Sequence, residues 1–345
     1  MVNKLKFCII GFGIFGEKRL IPGFKGSRGT IHAISKRNID EAKRKAAEYG
    51  IPLYFDDPEV MLRDADVDAA YIASPNKNHL EHTVLAAEHG KNIICEKPMA
   101  TSIDDAIKMA KICKKNGVQF MIAQCYRFLG SCLKIKEIMD AGMLGEIQFI
   151  HTHYSFPADT SLRKWVFDKK IAGGGPIFDI GVHMIDLTRF LLQGQDLTNF
   201  KGYSWPYDTS LYPGRDVEAS GSVLMRFKSG VQASVNCSFD APFLTSIEVH
   251  GTKKSLYSRY FTIVEKDAEI LIYSDKDFKK PEQSITVNNG NFYTRMINRF
   301  INSIENNDIR GDYPSAAEGL MNQIVLNGWY EGLSRDTIRS IMERI

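Results

Sequence analysis

Short apolar runs and longer segments of mixed polarity alternate through the first third of the chain. Residues 5–10 (LKFCII) are almost wholly apolar, as a strand buried on both faces should be. Similar runs fall at 30–34, 52–55, 67–73, 92–95 and 118–123. Between them, apolar residues recur at helical spacing over 39–49, closed by Gly50, over 79–89, closed by Gly90, and over 102–115, closed by Asn116-Gly117. In the last of these, Ser102 and Asp105 have the spacing of a capping box. Ile103, Ala106, Ile107, Ala110 and Cys113 share one side. Strands alternating with helices at this spacing predict an α/β domain with a parallel, doubly wound sheet.

Beyond the sixth run the rhythm changes. A helix is expected over 131–141, closed by Gly142, then a strand over 147–155 and an irregular stretch over 156–175. From about residue 220 the pattern is β. Strands are expected at 221–227, 231–239 and 247–251, with shorter ones at 261–264 and 269–273. Ser229-Gly230 between two alternating runs is a hairpin signal. Helical spacing returns at 292–305 and 315–330. This is an α+β domain on an open, mostly antiparallel sheet, and such a sheet commonly leaves one face for dimerisation. The expected division is 1–124 and 125–345.

Composition changes this picture little. At 345 residues the chain exceeds what one core usually serves, in keeping with two domains. A net charge of +3 gives no reason to expect nucleic acid or a membrane surface as partner. No run is long enough to span a bilayer, and the first apolar run ends in glycines rather than a cleavage site, so a cytoplasmic protein is expected. The six cysteines form no C-x-x-C pair and are expected as free thiols.

Ligands of a doubly wound sheet bind beyond the carboxyl ends of its strands, which singles out the loop after each strand. After the first comes G-x-G-x-x-G: Gly11, Gly13 and Gly16, enclosing Ile14 and Phe15. Gly11 permits a tight turn, Gly13 lets a pyrophosphate approach the backbone, and Gly16 allows close packing of the helix. After the second comes Ser35-Lys36-Arg37, with no acid before Asp40. An acid there would hold a ribose diol; a hydroxyl and two cations suit a 2′-phosphate, so NADP is expected over NAD. After the fourth come Ser74, Asn76 and His79; after the fifth, Glu96-Lys97-Pro98; after the sixth, Gln124, Tyr126 and Arg127. Together these line a rim where a nicotinamide would lie, with Lys97 aimed at a substrate.

The second half concentrates its chemistry in 173–186, GGGPIFDIGVHMID. The three glycines let backbone pass close to a ligand or make a bend. Asp179, His183 and Asp186 fall at i, i+4 and i+7, one face of a helix. A metal site and a merely polar helix face are both conceivable. The preferred reading is acid–base catalysis, since a carboxylate one turn from a histidine can orient it and tune its pKa. His151 and His153 add no convincing further ligand, and no metal is expected.

With GFGIFG at 11–16, SPNKNH at 74–79, EKP at 96–98, YRF at 126–128 and GGGPIFDIGVHMID at 173–186, nearly the whole chain resembles the glucose–fructose oxidoreductase / inositol 2-dehydrogenase (Gfo/Idh/MocA) family. The resemblance implies a Rossmann domain followed by a domain on a large open sheet, and dimers or tetramers through that sheet. It implies NAD(P)-dependent oxidation or reduction of sugars, sugar derivatives or cyclitols. Lys97 would contact substrate and nicotinamide, and Asp179 and His183 would hold and deprotonate the reacting hydroxyl. Tyr126 and Trp165 would adjoin the substrate, its choice falling to 163–165 and 203–216, which match no particular subfamily. Two other uses of such a fold compete: a dinucleotide-binding regulator without turnover, and a glycosidase that oxidises its substrate transiently.

Overall fold

Strands that are apolar on both faces must lie between layers of helices, and the first six runs do. The computed structural model describes residues 4–158, 163–193, 195–208, 210, 212–274, 279–329 and 333–345. In it β1 (Leu5–Ile10), β2 (Gly29–Ser35), β3 (Leu53–Phe55), β4 (Ala69–Ile72), β5 (Asn92–Cys95) and β6 (Phe120–Ile122) form one parallel sheet in the order β3-β2-β1-β4-β5-β6. The direction of winding reverses between β1 and β4, which opens a crevice at the ends of those two strands.

The connecting helices carry their own stop and start signals. A π-helical turn, Gly16–Leu20, leads into α1 (Ile21–Lys25). In α2 (Ile39–Tyr49) the Asn38 side chain accepts the Glu41 N–H, and Gly50 closes the helix at a left-handed φ of 66°. An unforeseen helix, α3 (Pro58–Asp64), is capped by Asp57 with proline in its first turn; the Asp-Pro-Glu start was a signal, but seven residues give little periodicity. Then come α4 (His79–Glu88) and α5 (Ile103–Lys115), whose Ser102 accepts the Asp105 N–H as expected.

The second sheet follows α6 (Gly130–Asp140). Its strands are β7 (Ile147–Ser155), β8 (Leu197–Pro206), β9 (Glu218–Phe227), β10 (Gln232–Ser238), β11 (Leu244–Gly251), β12 (Lys254–Arg259), β13 (Ala268–Ser274) and β14 (Gln283–Val287). Their order is β14-β13-β12-β11-β7-β10-β9-β8, antiparallel throughout except where β10 meets β7. Between β7 and β8 lie α7 (Lys169–Ala172), a second π-helical turn at Ile177–Gly181 and α8 (Val182–Leu191). Alternation is clear in the strands. Ile247 and Val249 are buried, while Glu248 and His250 are only partly covered on the other face. The strand expected over 261–264 is instead a turn, Ile263 N–H donating to the Tyr260 carbonyl, with Phe261 buried as a plug.

The chain divides into two compact units. The first contains 1–125, 291–323 and 345, and the second 126–290 and 324–344. The helix α9 (Phe292–Asn306) and the start of α10 (Ala316–Gly328) thus belong with the first sheet, although the sequence pattern grouped them with the second. The cause is specific packing. A Cβ on Gly23 would lie 2.9 Å from the Tyr293 Cβ, Phe300 packs 6.1 Å from Phe7, and Arg28 pairs with Glu305 at 2.8 Å. The helix expected to reach residue 330 ends at Gly328, and Tyr330 itself lies outside the described residues. A final helix, α11 (Arg335–Met342), follows.

Candidate active site

In the first unit the glycine turn is fixed from β2. The backbone N–H groups of Gly11 and Phe12 both donate to the Ser35 carbonyl, at 3.2 and 3.0 Å. Each glycine has a separate reason. Gly11 has φ +84°, and a Cβ there would lie 2.8 Å from the Ser74 Cα. Gly13 has no heavy atom within 4 Å of where its Cβ would point, an open lane to the backbone. A Cβ on Gly16 would meet the Phe12 ring at 2.8 Å, so its close approach is to that ring. Ile14 is exposed, and Phe15 packs edge-on to Tyr293 at 5.8 Å.

Of the expected phosphate-binding trio, Ser35 is buried, Arg37 is exposed, and Lys36 pairs with Glu41 at 2.8 Å. Lys36 in turn holds the Glu41 carboxyl below its usual range. Exposed ion pairs are weak, so an incoming phosphate could redirect Lys36 at little cost.

Ser74, Asn76 and Glu96 are nearly buried, and His79 is fully so. The His79 ring lies between two carbonyls, Nε2 3.0 Å from the Ser74 oxygen and Nδ1 3.0 Å from the Pro98 oxygen. It therefore ties the loop after β4 to the loop bearing Lys97. His82 adds a contact from Nδ1 to the Ser74 hydroxyl at 2.9 Å. Glu96 is turned inward: the Tyr71 hydroxyl donates to it at 2.6 Å, and the Lys97 backbone N–H at 3.3 Å. Lys97 itself is half-buried at the end of β5. Gln124 is 1% exposed, and neither its amide nitrogen nor its amide oxygen has a hydrogen-bond partner. A buried amide normally finds partners. This one, with the open lane at Gly13, fits a dinucleotide whose phosphates lie on 11–16 and whose polar groups satisfy Gln124.

The second unit holds the other group. Tyr126 stacks on His183 with ring centres 4.1 Å apart, and on Tyr154 of β7 at 6.2 Å. Asp179 sits in the π-helical turn and His183 in the first turn of α8, both at the edge of burial. Arg163 reaches Asp179 with both terminal nitrogens, at 2.6 and 3.4 Å, and lies 6.0 Å from the Trp165 ring. The Asp179 charge raises the pKa of Arg163 further. Arg163, expected only to help choose the sugar, is thus a partner of the candidate catalytic acid; the 16-residue separation left no local signal. Tyr154 was likewise hidden within a strand pattern.

Arg127 has a different place from the cofactor contact expected of it. It is 1% exposed, and its Nε and Nη2 donate to the two Asp186 oxygens at 2.7 and 2.6 Å. The geometry is that of an internal brace from the 126–128 segment to α8. Asp186, 1% exposed, therefore lies in the interior of the unit. The three glycines also serve packing: Gly173 ends α7 at φ 90°, a Cβ on Gly174 would strike the Phe178 ring at 2.4 Å, and one on Gly175 would strike the Glu218 carbonyl at 2.4 Å.

Among the described residues no cluster of three or more His, Cys, Asp or Glu side chains could hold a metal ion, and no helix is long and apolar enough to cross a membrane. All six cysteines are buried free thiols.

Comparison with known proteins identifies the family of both halves of the chain. Residues 5–124 match the model of an oxidoreductase family with an NAD-binding Rossmann fold, and residues 132–257 match the Gfo/Idh/MocA C-terminal domain. The D-xylose 1-dehydrogenase (NADP(+)) 2 of Haloferax volcanii is 31% identical over 238 residues, covering 69% of this chain and 70% of its own. The D-glucoside 3-dehydrogenase of Escherichia coli is 32% identical over 194 residues, 55% of this chain and 54% of its own. Among solved structures, aldose-aldose oxidoreductase from Caulobacter crescentus superposes with a TM-score of 0.85 at 22% identity, over 96% of this chain and 99% of the other. A levoglucosan dehydrogenase in complex with NADH and L-sorbose gives 0.84 at 22% identity, over 97% and 100%. The chain belongs to the Gfo/Idh/MocA family of NAD(P)-dependent oxidoreductases.

Proposed function

We propose that the protein transfers hydride between nicotinamide and a hydroxyl or carbonyl of a sugar, sugar derivative or cyclitol, with NADP preferred over NAD. The observation that carries the reading is the group at the head of α8: a histidine stacked on a tyrosine, beside a carboxylate held by an arginine. Aromatic faces flanked by charged hydrogen-bonding groups suit a polyol, and an imidazole can take up a proton or give one back. The relatives act on xylose, glucosides and levoglucosan by name, which supports the substrate class.

The dinucleotide, bound by 11–16, 35–37, Ser74, Asn76 and Gln124, supplies the hydride acceptor or donor. His79 and Glu96 hold the backbone of that site from behind. In the oxidative direction His183 takes the hydroxyl proton, Asp179 fixes the substrate and the imidazole, and Lys97 stabilises the developing alkoxide. Tyr126 and Trp165 flank the sugar. Residues 1–124 with the returning segment 291–323 thus serve the dinucleotide, and the rest of 125–345 the substrate and assembly. A homodimer or homotetramer forms through the open sheet face, in the cytoplasm.

The test is nicotinamide absorbance with NADP and NAD against aldoses, ketoses, sugar phosphates and cyclitols. Lys97→Ala and His183→Ala should lose turnover by roughly 10²–10⁴-fold while still binding dinucleotide. Undiminished turnover in both variants would remove the assignment. Tight dinucleotide binding without turnover on any substrate would favour a regulator instead.

A further inference from the structure

The helical segment that carries Asp179 and His183 begins at Pro176, which supplies no side-chain cap. A neighbouring strand supplies one. Glu218, the first residue of β9, is 7% exposed and accepts the Gly175 N–H on Oε2 at 2.9 Å and the Ile177 N–H on Oε1 at 3.2 Å. Gly175 passes the restraint on, because its carbonyl accepts the backbone N–H of Asp179 at 3.0 Å and of Phe178 at 3.1 Å. Glycine is required for this contact, since a Cβ on Gly175 would overlap the Glu218 carbonyl and crowd Val217 at 3.1 Å.

A carboxylate is a costly choice for so covered a position. Burial raises its pKa, and the two N–H groups with nearby Lys169 act in the opposite direction. For filling space, an apolar side chain would do as well. What the carboxylate adds is direction. Two divergent acceptors fix both the height and the rotation of a helix start, and its negative charge lies at the favourable end of the helix dipole.

We propose that Glu218 is a positioning residue of the reaction, acting through Gly175 to set the turn on which Asp179 and His183 stand. The proposal rests on the acid–base reading of that pair. The same arrangement explains the last glycine of 173–175: Gly175 admits the Glu218 carbonyl at the start of β9.

The test compares E218Q with V217A by steady-state kinetics and by hydrogen–deuterium exchange of peptides covering 173–183. Glutamine keeps the volume but turns an NH2 toward one of the two N–H donors. Val217→Ala loosens the same contact without touching the acceptors. E218Q should exchange faster within 173–183, lose roughly ten- to a hundredfold in kcat, and keep the dinucleotide KM. V217A should keep its kcat. Unchanged kcat in E218Q overturns the proposal, and so does an equal loss in V217A, which would assign the effect to packing. If E218Q does not fold, E218D, whose acceptors are withdrawn by one methylene, takes its place: a loss of kcat in E218D alone supports the proposal, and an unchanged kcat overturns it. Absence of turnover in the wild type refutes the functional reading instead, a result distinct from an unimpaired variant of an active enzyme.

Discussion

His79 shows how a residue prominent in sequence can lie wholly inside the fold. Its position after the fourth strand marked it as a cofactor contact; its ring is instead fully buried between the backbones of Ser74 and Pro98. Those carbonyls favour a protonated ring, but burial is the larger effect and pushes the pKa from 6.5 down to about 4. In the unfolded chain the ring takes its proton near 6.5. The folded state binds fewer protons between these values, so the stability contributed by neutral His79 is complete above pH 6.5 and is lost as pH falls toward 4. The loss amounts to roughly 3 kcal/mol. Thermal melts across this range should show a shallower acid slope in His79→Gln than in the wild type. Parallel slopes would mean that another group controls the acid limb.

At the scale of elements, the glycine turn separates two demands that its motif presents as one. Gly11→Ala meets a left-handed backbone worth roughly 1–2 kcal/mol, together with a clash against Ser74, and should lower the melting temperature. Gly13→Ala meets open space, so its stability should stay within about 0.5 kcal/mol of the parent. Its dinucleotide affinity should nevertheless fall roughly tenfold or more. Calorimetric melts with a binding titration distinguish the two. A Gly13→Ala variant that binds normally would mean that the lane is not used. The motif was legible because it is a short pattern at the end of a strand, as were the six parallel strands and the Ser102 cap. β8, β12 and β14 were not. β8 turns Tyr203 and Trp205 outward, which blurs its alternation, and β14 is a short, polar edge strand. The contact of Glu218 with the start of the turn at Ile177–Gly181 was invisible too, because it joins residues 41 apart in sequence. The pairs Arg163–Asp179 and Arg127–Asp186 likewise join residues that only the fold brings together.

For the whole molecule, the open face of the second sheet is a feature that the proposed chemistry does not use. Phe149, Tyr203, Trp205 and Leu224 are all exposed on the outward-facing positions of β7, β8 and β9. Such a surface fits the proposed homo-oligomer. Leu224→Arg should shift the sedimentation coefficient toward that of a single 39.0 kDa chain while leaving the dinucleotide site intact. A wild type that already sediments as a monomer would discard the oligomer. The chain's path, too, has a consequence for how the protein is made. The first sheet is complete by residue 122, yet the helix that covers Gly23 and Phe7 is not reached until 292–306. During synthesis the ribosome must therefore deliver the entire second sheet while the flank of the first is still bare. The newly made dinucleotide fold is then at its most vulnerable to chaperone capture and to aggregation, and it matures only when a segment made after the second sheet returns to close it.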